Sequence, residues 1–151
     1  MTGHGGPDHF AELRDTGRAD GAAMAVSRAA IEKAGPLDER LFLYVEDVEW
    51  SLRIRKAGLA VVFVPDAVVL HEGSASTGGS ASTTNLYYST RNTIFVAEQA
   101  SPLPPVLRGL RRGVVVATHL AQAWSHPDRR AARKAVLDGW RDARTARGGP
   151  R

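Results

Sequence analysis

The chain is 151 residues long, 43% hydrophobic and 24% charged, and contains no cysteine. That is enough material for about one domain with a real core, and it excludes a disulfide framework and any thiolate metal site while remaining compatible with a reducing compartment. Charge is unevenly placed: residues 1–105 carry 9 Lys/Arg against 13 Asp/Glu (net −4) and residues 106–151 carry 11 against 3 (net +8), which sum to the overall +4. A uniformly basic nucleic-acid binder does not have this distribution. The polar first twenty residues show no signal-peptide pattern. The longest apolar run, Gly113 to Trp124, is interrupted by Thr118, His119 and Gln122 and is too short to span a bilayer.

Residues 1–19 read as loop. From Gly21, the small-residue run Gly-Ala-Ala-Met-Ala-Val predicts a buried strand. Ser27 is a plausible N-cap for a short helix through Ala34, stopped by Gly35-Pro36. A loop over Leu37 to Tyr44 leads into a second helix, about Asp47 to Ala57, ending at Gly58. Leu59 to Val64 is the clearest strand, closed by Pro65, and Ala67 to Leu70 reads as another that delivers His71 at its end. The Gly/Ser/Thr-rich stretch 72–84 has the composition of a mobile loop. A helix is expected from about Thr84 to Ala100, with Leu86, Tyr87, Ile94 and Phe95 near one face. Prolines 102, 104 and 105 mark a boundary, followed by an amphipathic helix over 106–124 and a basic one over 128–144. The implied units are an N-terminal segment, 1–19, a central half-domain, 20–101, and a basic helical tail, 102–151.

The chemistry concentrates at Leu43-Tyr44-Val45-Glu46-Asp47-Val48-Glu49-Trp50, where three acids fall within four positions between apolar neighbours. Carboxylates in apolar surroundings have the displaced proton affinities that a general base requires. An exposed helix start explains the same acids, since negative charge suits the first turn. Asp47 stands where loop becomes helix, so it could point into a cleft from a rigid backbone. His71, at a strand's C-terminal end, could ligate a hard divalent cation, or be a surface histidine.

An ordered set of residues carries a resemblance. Gly21-Ala22-Ala23-Met24, Arg28, Gly35, Leu37-Asp38-Glu39, Phe42-Leu43-Tyr44, Glu46-Asp47, Leu52-Arg53, Gly58, Pro65, His71, and Tyr87-Tyr88 with Arg91-Asn92 resemble the C-terminal half of a family 2 glycosyltransferase, closest to the rhamnosyltransferase-like branch. Leu137 to Asp142 resembles that branch's ending. The resemblance implies an α/β fold class, here a partial GT-A-type (Rossmann-like) half domain with C-terminal amphipathic helices.

It also implies an inverting transferase that moves a sugar from a nucleotide-diphosphate sugar to a glycan or lipid-linked acceptor. Asp47 would be the general base with Glu46 beside it, and His71 a ligand of a divalent metal, Mg or Mn, that bridges the donor diphosphate. Trp50 would wall the acceptor sugar, or pack in the core. Arg53 and Arg91 would contact phosphate or acceptor, or form structural ion pairs, for Arg53 with Glu49 or Asp47. Asp38 would line the acceptor side, or serve a turn.

The sequence departs from the family in having no Asp-x-Asp and no alternating β/α half before Gly21, so the donor pocket is expected from a complementing N-terminal half. The alternative is a non-catalytic remnant or accessory module that binds an acceptor glycan, a partner protein or a membrane surface. Arg108, Arg111 and Arg112 beside Val114-Val115-Val116, Leu120 and Trp124 form an interfacial amphipathic pattern. The expectation is therefore a cytoplasmic chain peripheral on the inner face of the membrane, attracted by anionic headgroups, although a helix packed back on the domain would show the same pattern. Nucleic acid is not an expected partner, because only Trp124 and Trp140 interleave with the basic residues.

Overall fold

The computed structural model describes residues 12–70, 82–145 and 147–151. Two short strands, β1 (Arg14–Asp15) and β2 (Val62–Phe63), pair antiparallel, with Arg14 opposite Phe63 and Asp15 opposite Val62. The helices are α1 (Arg28–Ala34), α2 (Glu46–Lys56), α3 (Thr83–Ala100), α4 (Pro105–Ala123) and α5 (Arg129–Arg144). The described chain is mainly helical with this small sheet, an architecture compatible with part of an α/β half-domain.

Local chemistry sets the helix ends. The Ser27 hydroxyl accepts from Ala30 N to open α1, and Gly35, at φ 76°, closes it with its N–H on Ile31 O. Ser82 accepts from Asn85 N at the start of α3, and Asp128 from Ala131 N at the start of α5. Pro105 opens α4 at a position whose N–H has no helical acceptor.

Two strand expectations are overturned. Gly21 to Val26 is not a buried strand: Asp20 accepts from Ala22 N and draws Gly21–Ala23 into a 3₁₀ turn with no buried residue. Side chains take the place of a ladder here, Gly21 N donating to Asp47 Oδ2 and, just before the run, Ala19 N to Ser51 Oγ. Ala67 to Leu70 forms no ladder and is exposed, and the strand expected over Leu59–Val64 contracts to Val62–Phe63. The expected mobile loop, 72–84, lies outside the described residues up to 81, while Thr83 and Thr84 already belong to α3.

The core has two centres. Ala30, Trp50, Ile54 and Val61 join α1, α2 and the approach to β2. Leu86, Tyr87, Tyr88, Ala123, Ala132 and Val136 join α3, α4 and α5, and Leu43 and Tyr44 pack against them. The basic tail therefore folds back onto the domain across the proline boundary. Gly139 makes this possible, since a Cβ built there would lie 2.4 Å from Tyr87 O. Buried Asp142 accepts the Tyr87 hydroxyl at 2.7 Å, and burial, followed by this bond, raises the phenol above its ordinary pKa. Asp138 receives Lys134, Arg141 and Arg151.

Candidate active site

The Glu46-Asp47 pair stands in the first turn of α2, and the approach to it is strained. Phe42, Tyr44 and Val45 all take left-handed backbone conformations, with φ of 56°, 63° and 70°. Such conformations are costly for bulky and β-branched residues and persist only where the surroundings impose them. Here the surroundings are two polar side chains on α3. The Asn92 amide shares its hydrogens among the carbonyls of Leu41, Leu43 and Tyr44, each at 2.8 Å. Arg91 donates to Arg40 O and Leu41 O at 3.0 Å and to Gly149 O at 2.7 Å. The segment 147–151 closes over the same place, with Gly149 N on Arg40 O at 2.7 Å and Arg151 N on the Tyr88 hydroxyl at 2.8 Å.

The structure places each predicted residue as follows. Asp47 is half-buried, its Oδ2 accepting from Gly21 N at 3.0 Å and its Oδ1 from Val48 N at 2.7 Å. Glu46, next to it, has a buried Oε2 with no hydrogen-bond partner among the described residues. That is an unusual state for a carboxylate oxygen, which ordinarily costs free energy unless something bonds to it. Trp50, one turn further along α2, is buried, its indole N–H on Gly35 O at 2.8 Å. Arg53 clasps both oxygens of buried Glu49 at 2.7 and 2.9 Å and also donates to the carbonyls of Ala34 and Pro36 at the end of α1. The sequence offered an ion pair with Glu49 as one explanation of Arg53, and that pair is present.

Asp38 holds the Arg40 guanidinium at 2.6 to 3.1 Å. The Arg40 hydrogen bonds keep its carboxyl below the usual carboxylate range. Arg91 is 2% exposed and stacked on the rings of Tyr87 and Tyr88, with its donors spent on backbone carbonyls and the Asn92 amide oxygen. His71 lies outside the described residues.

The acids therefore come together with the strained loop. Trp50 and Arg53 face the α1 side, and Arg91 lies beneath the loop and organises it. The part played by Asn92 was not drawn from the sequence, although an Arg-Asn pair within an otherwise apolar helical face is a readable sign of a buried polar network. Among the described residues no three His, Asp or Glu side chains gather at one point. They do not by themselves form the divalent-cation site that the resemblance implies.

Two curated proteins match the chain, both N-acetylglucosaminyl-diphospho-decaprenol L-rhamnosyltransferases, from two strains of Mycobacterium tuberculosis. Each is 36% identical over 118 residues, covering 73% of this chain. This chain is a relative of these rhamnosyltransferases. It spans 38% of the length of those mycobacterial glycosyltransferases. No family model matches the chain, and no solved structure matches it.

Proposed function

We propose that this chain is the acceptor- and base-bearing part of an inverting glycosyltransferase of GT-A type, transferring a sugar from a nucleotide-diphosphate sugar to a lipid-linked or glycan acceptor. The observation that carries the reading is the presentation of Glu46 and Asp47. Three left-handed residues, pinned from below by Asn92 and Arg91, set the two acids side by side at a helix start. A structure ordinarily avoids strain of this kind, and it clusters where side chains must be aimed. The similarity to decaprenol-linked rhamnosyltransferases supports a lipid-diphosphate acceptor and a rhamnosyl donor.

In such a reaction the acceptor hydroxyl oxygen attacks the anomeric carbon as the nucleotide diphosphate leaves, giving inversion in one displacement. Asp47 takes the hydroxyl proton at its carboxylate, and the bond electrons of the donor depart with the diphosphate. Glu46, beside Asp47 and with its Oε2 buried, would hold the geometry of the pair. Arg91 and Asn92 act through the loop and do not touch the substrate. The donor pocket, and any divalent cation at it, would belong to the part of the relatives' length that this chain does not span.

One observation favours a non-catalytic module instead: both Asp47 oxygens are already engaged by backbone N–H groups. A transfer assay separates the two readings. The chain is supplied with the donor-binding half of the mycobacterial relative, a thymidine-diphosphate rhamnose donor and an N-acetylglucosaminyl-diphospholipid. Transfer that falls by about a hundredfold or more in Asp47→Asn is the expected result for a general base. Absence of transfer by the folded wild-type mixture, or full activity of Asp47→Asn, would leave the non-catalytic module as the better reading.

A further inference from the structure

The back-folding of the tail leaves a large part of it facing outward. α4 packs a half-buried side, with Val115, Val116, His119 and Leu120, against α3 and α5 and turns the other out, exposing Val106 (82%), Leu110 (65%) and Val114 (59%) in steps of four residues, one stripe along the helix. The stripe runs into a groove of about 540 Å³ between α4 and α5, lined by Gly113, Val116, Ala117, Leu120, Leu137 and Trp140 among others. A row of cations borders the groove on α5. Arg130, Arg133 and Arg144 are exposed and have no carboxylate in ion-pair range among the described residues.

The acids of α5 do not neutralise this row. Asp138 and Asp142 are buried, the latter against α3, and Asp138 is already shared by Lys134, Arg141 and Arg151. Two indoles stand within the row, Arg129 and Arg133 lying over Trp124 at 4.8 and 5.4 Å and Arg144 over Trp140 at 5.1 Å. Trp124 is itself 58% exposed.

We infer that this α4–α5 face is a docking surface for an anionic lipid bilayer, with Val106, Leu110 and Val114 entering the acyl boundary while Arg130, Arg133 and Arg144 meet the headgroups. An apolar stripe with cations along one side and indoles at the border has the composition of an interfacial helix pair. A second copy seated on the same face would set one row of unpaired arginines against another, and like charges across an interface are repulsive. No helix among the described residues is long and apolar enough to cross a membrane, so the contact is with the surface. The inference does not rest on the catalytic reading, and vesicle binding can succeed or fail independently of sugar transfer.

Vesicle co-sedimentation of the full chain tests it. With vesicles containing about 30% phosphatidylglycerol the chain should pellet, with a blue shift of tryptophan emission, and it should remain in the supernatant with pure phosphatidylcholine. Binding should weaken as salt is raised from roughly 0.1 to 0.5 M. Arg133→Gln and Arg144→Gln should each lower the affinity about fivefold.

Leu110→Glu, and separately Val106→Glu, alter exposed side chains away from the core and should cut binding at least tenfold at low salt with the helical circular dichroism unchanged. Any of the following results would overturn the inference. One is no pelleting with the anionic vesicles. Another is pelleting indifferent to both apolar substitutions, which would mean adsorption of a basic chain only. The third is a wild-type dimer that Leu110→Glu dissociates, or tighter retention on single-stranded nucleic acid than on vesicles.

Discussion

Arg91 and Asn92, neighbours on α3, are joined side chain to side chain, Arg91 Nε donating to Asn92 Oδ1 at 2.8 Å. This bond fixes the orientation of the amide, because the oxygen is occupied by a donor and the nitrogen must face the carbonyls of Leu41, Leu43 and Tyr44. Asn92→Ala would leave those buried acceptors short of a donor. We expect a loss of about 1–3 kcal/mol in urea unfolding, with an unchanged m-value. Arg91→Lys should also be destabilising, since one ammonium cannot replace a planar fork that reaches Arg40, Leu41, Asn92 and Gly149 together.

Val45 offers a test of sign. At φ 70° it stores strain that glycine does not feel. Val45→Gly should therefore leave stability unchanged or raise it by up to about 1 kcal/mol, after loss of some packing and the greater entropy of the unfolded chain. The same change at Val48, inside α2, should cost about 1 kcal/mol or more. Comparison of the two urea midpoints decides the matter. A destabilised Val45→Gly as large as Val48→Gly would show that the loop carries no strain.

At Gly139 the α3–α5 crossing is set by an absent methyl. Gly139→Ala places a Cβ 2.4 Å from Tyr87 O, 3.3 Å from Arg91 N and 3.3 Å from Thr90 Cβ. Two of these neighbours are helical backbone, so relief requires a shift of one helix. Alanine's better helix propensity offsets about 1 kcal/mol, and overpacking should still leave a net loss of roughly 1–2 kcal/mol, read as a fall in thermal midpoint. Gly139→Val should be worse.

Stability should fall in acid with a contribution from Asp138. The Lys134 hydrogen bond, followed by the attraction of Lys134, Arg151 and Arg141, holds its folded carboxyl below the ordinary value. The unfolded chain then takes up the proton at higher pH than the folded one does. The stabilisation is full above the ordinary value of about 3.9 and is lost as the pH falls through the folded value. Urea midpoints measured from pH 6 down to 3 should drop less steeply for Asp138→Asn than for the wild type. Equal slopes would show that the three cations do not act on this group.

The helices were largely legible because their signals are local. Ser27, Gly35, Gly58 and Pro105 are caps or stops of α1, α2 and α4 that act within one turn, and all five helices lie within about two residues of their expected bounds. The strand expected at Gly21 to Val26 was misread because its decisive partners, Asp47 and Ser51, are 26 and 32 residues away. The loop from Phe42 to Val45 contains no glycine or asparagine, so nothing in it announces a left-handed backbone, which is imposed from α3. The acid pair itself could be read from spacing. Its support, and the diversion of Arg53 and Trp50 to the carbonyls at the end of α1, depended on tertiary contacts.

The closing of residues 147–151 over Arg40 has a practical consequence. Gly148 lies so near that a Cβ there would be 2.7 Å from Arg40 Cβ, and Gly149 both gives and takes a backbone bond at the Arg40–Arg91 junction. A trypsin cut after Arg144 or Arg147 would release this clasp without touching the loop that it secures. Amide protons from Leu41 to Val45 should then exchange with deuterium faster, although the cut lies a hundred residues downstream in sequence. An affinity tag intended for activity work is accordingly better placed at the other end of the chain.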